Sequence, residues 1–447
     1  MVILNTSPAT TAPEQFFPEN GHFFEGAEKR LVVYYAPTNT NIAHTIASSV
    51  PPDLRTVSQS EWEEVLEKVN CKIIHSMSNS EMTAYLLSES SMFITRNCVL
   101  IKTCGTTTLL LALPKLLQLA PKLGLQVVDV YYSHKNLLIP QAQSVPHLSF
   151  DQECDFLNSR LPFAGLKTAF SAGNMSLDRF FLYAYNSATI ERSRGSKNEH
   201  LKFEMIMENL NEAVMEQFIF TGKPRVTAKD VTINSGISRL IPQMQIDDYI
   251  FDGCGYSMNG FSGANYLTIH ITPEKGFSFV SLETNVPMED YGAFVRKVLK
   301  CFKPGKLLIN LMIAESEKFN KSKSIFELFS RVKLSGFNRL ELTMTPVKTL
   351  NVIYARYSST KWHFSLLNFV FINCILSNLP SRQLTNHIIY FSNKYNILFH
   401  EKMYLDKLYH LTLLSIYTSR NKLWNQGKAM LDERYQSCWK TTCQKLL

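Results

Sequence analysis

NYLTIHIT (265–272), GFSFVSLET (276–284), PMEDYGAFVRKVLKCFKPG (287–305) and KLLINLMIA (306–314) follow one another in the second half of the chain. The first two are dominated by β-branched and aromatic residues and read as paired strands. The third carries apolar residues at helical spacing, and the fourth is again a strand. The first half holds the same order. MTAYLLS (82–88) and NCVLIKT (97–103) read as strands, TTTLLLALPKLLQLAPKLG (106–124) as a helix bent at Pro114, and LQVVDVYYS (125–133) as a strand. Strand, strand, helix, strand occurs twice, which predicts an α+β fold built by internal duplication, with helices covering one face of each sheet. RLVVYYA (30–36) and CKIIHSM (71–77) read as further strands. SEWEEVLEKVN (60–70) reads as a helix, with Ser60 and Glu63 as a capping box and Trp62, Val65, Leu66 and Val69 as its apolar stripe.

Composition narrows the class. The 447 residues are 45% hydrophobic and 19% charged, ordinary for a globular protein. The opening MVILNTSPATTAPEQFFPEN lacks the basic flank and apolar run of a signal peptide, and its Pro, Thr and Ser content predicts a flexible arm over residues 1–20. Nine scattered cysteines without CxxC pairing predict free thiols in a reducing compartment, the cytosol, and no metal site. From residue 359 the chain carries 11 Lys/Arg against 4 Asp/Glu, so most of the net charge of +8 belongs to the tail. That placement argues against a nucleic-acid groove in the body. In the tail, HFSLLNFVFINCILSNL (363–379) is apolar, but Asn368, Asn373 and Asn378 interrupt it and it is short for a bilayer span.

The sequence contains no dinucleotide, phosphate-loop, zinc-protease or serine-hydrolase motif. Four short segments carry what chemistry there is. YLLSESSMFI (85–94) is a strand-like run broken by small and acidic residues; alone it also reads as a solvated turn. LIKTCGTTTLLLAL (100–113) sets Cys104 at a strand end before a helix start, where a thiol pKa falls; taken alone, a buried structural cysteine is the better reading. HFFEGAEKRL (22–31) spaces Glu25 and Glu28 so that a helix would bring both to one face. In FDGCGYSMNGFSGANYLTIHITPEKGFSFVSLET (251–284), His270 alternates with apolar neighbours, as a core histidine would.

Taken together, in this order and spacing, the four segments resemble the eukaryotic S-adenosylmethionine decarboxylase family, which depends on a pyruvoyl group. The resemblance runs from residue 21 to 358 and includes DLRTVSQSEW (53–62), TAKDVT (227–232) and KPGKL (303–307). It implies a four-layer αββα sandwich of two antiparallel sheets with helices outside. It also implies self-cleavage between Glu89 and Ser90, giving a beta chain 1–89 and an alpha chain from residue 90 whose Ser90 becomes the pyruvoyl group. By the same resemblance His270 abstracts the α-proton during processing and Ser257 assists it. Glu28 serves processing, Glu25 serves activity, and Cys104 protonates the decarboxylated carbon. Phe24 and Phe251 sandwich the adenine of S-adenosyl-L-methionine, Glu89 contributes to the substrate site, and Glu274 holds the ribose. The processed chains stay associated, and some family members dimerise edge to edge. The product feeds spermidine and spermine synthesis. The alternative is a non-catalytic paralogue that regulates an active decarboxylase.

The resemblance frays at two places. Lys102, Glu204 and Glu283 match a diamine-binding pocket between the sheets, but His200, Val32 and Lys202 replace an aspartate, a glutamate and a threonine of that pocket. This implies weak or absent putrescine stimulation, with Lys202 standing in for a diamine nitrogen. The extension 359–447 has no counterpart in the resemblance.

Overall fold

The computed structural model describes residues 25–38, 52–173, 178–187, 201–220, 226–314, 327, 330–347 and 350–360. The arm over residues 1–20, Phe24, His200 and the extension from residue 361 lie outside them. Sixteen strands form two antiparallel sheets of eight among the described residues. The first has the order β2-β3-β4-β5-β1-β6-β8-β7, from β1 (Lys29–Pro37), β2 (Ile73–Ser78), β3 (Met82–Leu87), β4 (Ser90–Thr95), β5 (Cys98–Thr103), β6 (Leu125–Lys135), β7 (Leu166–Ala172) and β8 (Phe180–Asn186). The second repeats it as β10-β11-β12-β13-β9-β14-β16-β15. Its strands are β9 (Lys202–Leu210), β10 (Gln245–Ile250), β11 (Tyr256–Ser262), β12 (Asn265–Thr272), β13 (Phe279–Thr284), β14 (Pro304–Ala314), β15 (Phe337–Val347) and β16 (Leu350–Ser359). The identical order confirms the duplication expected from the repeated strand-helix pattern.

Alternation decides which side chains meet. On the first sheet, Leu31, Val33, Ile101 and Tyr132 face outward into an apolar cluster with Trp62 and Leu66 of α1 (Gln59–Glu67) and Leu116 of α2 (Leu113–Lys122). Leu157 of α3 (Phe150–Arg160) completes that layer. On the second sheet, Met205, Ile269, Leu282 and Leu311 pack against Phe294, Val295, Val298 and Phe302. Those four form one stripe of the helix Tyr291–Phe302, whose start is capped by the Asp290 carboxylate accepting from the Ala293 N–H at 2.9 Å. The inner faces meet through mixed clusters such as Leu182, Ile206, Leu308 and Tyr354. The layers are therefore helix, sheet, sheet, helix.

Local expectations needed three corrections. The capping box belongs to Ser58 and Glu61, because Ser58 is extended (φ −66°, ψ 152°) while Ser60 already lies inside the helix. Pro114 does not bend a helix; it sits in the first turn of α2, where its missing N–H costs nothing, and a 3-10 turn (Leu109–Ala112) precedes it. Glu25 and Glu28 share no helix face. Residues 25–28 form no helix and lead into β1, and their carboxylates reach different partners.

Candidate active site

A row of three residues crosses the inner face of the second sheet. Ser257 of β11, His270 of β12 and Ser281 of β13 are register partners on adjacent strands, so the pleat turns all three toward the first sheet. His270 Nδ1 lies 2.5 Å from the Ser257 hydroxyl and Nε2 lies 3.3 Å from the Cys104 sulfur. Burial lowers the His270 pKa, Glu28 opposing and Lys102 assisting, so the imidazole is held neutral. A neutral imidazole is what a general base requires.

Opposite this row stands the hairpin of β3 and β4. Leu87 pairs with Ser90 across a two-residue turn, Ser88–Glu89. Ser90 has φ 148°, a conformation that residues with a Cβ avoid at a cost of about 1–3 kcal/mol. It is fully buried, and its hydroxyl donates to Glu28 Oε1. The other Glu28 oxygen accepts from the Ser281 hydroxyl and lies 3.0 Å from Lys102 Nζ. Burial alone would raise the Glu28 carboxyl, but the Lys102 ammonium, with the Ser281 and Ser90 hydroxyls donating to the carboxylate, outweighs burial and holds the group ionised.

The carbonyl preceding Ser90 is also held. Glu89 O accepts from the Cys104 backbone N–H at 3.0 Å and from its thiol at 3.0 Å. The Glu89 carboxylate lies 3.8 Å from the same sulfur, and burial raises its pKa. For Cys104 the structure decides against a thiol tuned downward by a helix start and for the buried cysteine. It is completely buried beside Glu89 and Glu28, its pKa stands well above the ordinary thiol value, and the nearest helical turn begins only at Leu109. Burial and like charge outweigh any helix dipole, and the thiol keeps its proton. That suits a proton donor better than a nucleophile.

Glu25 sits behind this site, accepting from the Leu138 N–H at 2.6 Å and the Ala27 N–H at 3.2 Å; burial nonetheless raises its pKa. The half-buried Phe251 stands edge-on to His270, with ring centres 6.4 Å apart. Glu274, half-buried, follows β12 at the end of the strand that carries His270.

Lys102, Glu204 and Glu283 do come together between the sheets. Lys102 Nζ lies 3.2 Å from Glu283 and 3.8 Å from Glu204. Lys202 Nζ stands 2.9 Å from Glu204, and Arg30 donates to Glu283 at 2.8 Å. Burial would raise the Glu283 carboxyl, but Arg30, Lys102 and Lys202 push it far down. Val32 joins an apolar cluster. With Glu28, which also lies against Lys102, three carboxylates face three cations.

Sequence reasoning did not pick out Arg30 or Ser281. Alternation could have found both: Arg30 is two residues from Glu28, and Ser281 is two from Glu283, each on the face already assigned to the site.

A profile of the adenosylmethionine decarboxylase family matches residues 21–358. The S-adenosylmethionine decarboxylase proenzyme of Drosophila melanogaster is 36% identical over 359 residues, covering 77% of this chain and 98% of that protein. The protein of the same name from Dictyostelium discoideum is 43% identical over 284 residues, 63% of this chain and 73% of its own. A solved Trypanosoma brucei AdoMetDC monomer aligns with TM-score 0.47 and 23% identity, over 60% of this chain and 98% of that one. The chain is a carboxy-lyase of the kind made as a proenzyme. It belongs to the adenosylmethionine decarboxylase family.

Proposed function

We propose that the chain decarboxylates S-adenosyl-L-methionine after cutting its own backbone between Glu89 and Ser90, and that the observation carrying this is the strained, doubly held peptide at that bond. The Ser90 hydroxyl is already hydrogen-bonded to an ionised carboxylate, Glu28, and the carbonyl it would attack already has two donors from Cys104. Attack of Ser90 Oγ on the Glu89 carbonyl carbon forms an ester and breaks the C–N bond, freeing the Ser90 amine. The Cys104 N–H steadies the oxygen as charge develops on it. His270 then removes the Ser90 α-proton and the Cβ–Oγ bond breaks, releasing Glu89 as a carboxylate. Addition of water and loss of ammonia leave a pyruvoyl group at the start of the alpha chain, with neither oxidant nor reductant needed.

The pyruvoyl group withdraws electrons from the carbon that loses carbon dioxide. Ser90, its source, lies beside Glu28 and across from the Ser257–His270–Ser281 row, so the residues present fit such a group. Cys104, protonated by virtue of its burial, donates to the decarboxylated carbon. Phe251, with Phe24, stacks on the adenine and favours the sulfonium by about 0.5–2 kcal/mol. Glu274 accepts from the ribose hydroxyls, and Glu89 and Glu25 complete the substrate site. A non-catalytic paralogue would lack one of Ser90, Cys104, Ser257 or His270, and this chain has all four.

Cleavage leaves the fold joined. The beta chain contributes β1, which lies between β5 and β6, and β3, which pairs with β4. The two products therefore share one sheet and stay associated. The decarboxylase domain spans 21–358, preceded by the arm and followed by an extension. The cytosol fits the six described cysteines, all free thiols, and among the described residues no helix is long and apolar enough to cross a membrane.

The diamine pocket is internally neutralised. Lys202 and Arg30 occupy the carboxylates a diamine would need, so carbon dioxide release is expected to be unchanged by added putrescine; strong stimulation would sink this part.

Intact-mass spectrometry under denaturing conditions, with Ser90→Ala as control, tests the main reading. Two chains split after Glu89 in the wild type and one unbroken chain in the variant are expected. One unbroken chain in both would overturn self-processing.

A further inference from the structure

Lys29 is a fully buried lysine that the chemistry above does not use. It opens β1, where alternation sends Glu28 and Arg30 to the inner face and Lys29 to the outer one. Its ammonium donates to the Gly105 carbonyl at 3.0 Å and to Gln143 Oε1 at 2.8 Å, both neutral acceptors. A buried ammonium is costly, and one without a hydrogen-bonded carboxylate is more so. Burial accordingly lowers its pKa to about 8.

The geometry around Gly105 shows what this lysine holds. Gly105 has φ 64°, a left-handed turn that directs the chain away from β5. Its N–H donates to the Glu25 carbonyl at 2.8 Å, and its carbonyl takes the Lys29 ammonium. The residue following Cys104 is thus gripped on both sides, while the Cys104 N–H and thiol are both aimed at Glu89 O. The titratable groups whose charges bear on Lys29 are Cys104, Glu153, Glu25 and Cys71. Lys29 in turn favours the ionised forms of Glu89 and Cys104.

We propose that Lys29 is a positioning residue for Cys104: it fixes the turn that aims the cysteine at Glu89 and supplies the positive charge that lets thiol and carboxylate sit together. The proposal rests on the role given to Cys104 above. When Cys104 gives up its proton, the thiolate left behind faces Glu89 and Glu28, and Lys29 is the cation on the outer side that offsets them.

The test compares Lys29→Met, Lys29→Gln and Lys29→Arg in the full chain. The first readout is the second-order rate at which methyl methanethiosulfonate modifies Cys104 at pH 8, assigned by peptide mass mapping. It is taken in the Ser90→Ala background, so it does not depend on whether the backbone is cut. The second is the self-processing rate in chains that retain Ser90. Loss of the charge is expected to lower the thiol rate about tenfold. Processing should slow by a similar factor, and Lys29→Arg should keep both within about threefold. Thermal melts exclude unfolding as the cause, and Lys29→Gln, which can still donate to Gly105 O, keeps the test open if Lys29→Met does not fold. Wild-type rates in Lys29→Gln would overturn the proposal. Equal losses in Lys29→Gln and Lys29→Arg would overturn it too, because the charge would then not matter.

Discussion

The hairpin β3–β4 in the first sheet and the hairpin β11–β12 in the second occupy the same place in two sheets of identical strand order. Each is closed by two residues, Ser88–Glu89 in one and Gly263–Ala264 in the other. In the second sheet the positive φ of 57° falls on Gly263, which tolerates it without strain. In the first the positive φ of 148° falls on Ser90, which does not. The duplicated scaffold is therefore the same, but the positive φ falls at different places, on the first turn residue in one hairpin and on the residue just after the turn in the other. A serine there is strained and carries a hydroxyl beside the carbonyl it can attack; a glycine is relaxed and carries nothing. The partners differ as well. Ser90 faces Glu28 and the serine–histidine–serine row, whereas an added Cβ at Gly263 would meet nothing within 4 Å.

If the base in that row separates the two hairpins, its removal should have the largest effect. His270→Ala is expected to slow release of the two chains by about 10²–10⁴-fold, leaving an ester that hydroxylamine cuts in a timed denaturing gel. In the wild type the protonated imidazole is the inactive form. Since burial lowers the His270 pKa below its ordinary 6.5, processing should hold steady down to about pH 6.5 and decline only below it. Unchanged processing in the alanine variant would break the comparison. The smallest effect is expected on the other side. Gly263→Ser places a hydroxyl in the equivalent turn, should cost about 1–2 kcal/mol in a denaturant titration, and should produce no cut there by mass spectrometry. Cleavage at that turn would mean that a serine with positive φ is sufficient by itself.

Much of the fold was legible because its signals are local. The period-2 run NYLTIHIT became β12 within its expected bounds, and the helix in 287–305 appeared as Tyr291–Phe302. The capping box moved by two residues because Ser58 and Ser60 each stand three before a glutamate, and only the backbone angle separates them. The candidate site was legible as a set of residues, through resemblance, but not as a set of charge states. Of the two readings open for Cys104, a lowered thiol at a helix start and a buried cysteine, the folded chain has the buried one: burial first, then Glu89 and Glu28, raises its pKa.

The sequence by itself determined eight of the sixteen strands, the repeated strand-helix pattern and the family, because periodicity and motif spacing are properties of neighbours along the chain. Tertiary structure alone decided what each group does. Ser281 reaches Glu28 across 253 residues, and His270 reaches Cys104 across 166. Burial and the company of distant charges set proton affinity. Which of two equivalent turns carries strain likewise depends on the partners that hold it in place, and only the packed sheets bring those partners together.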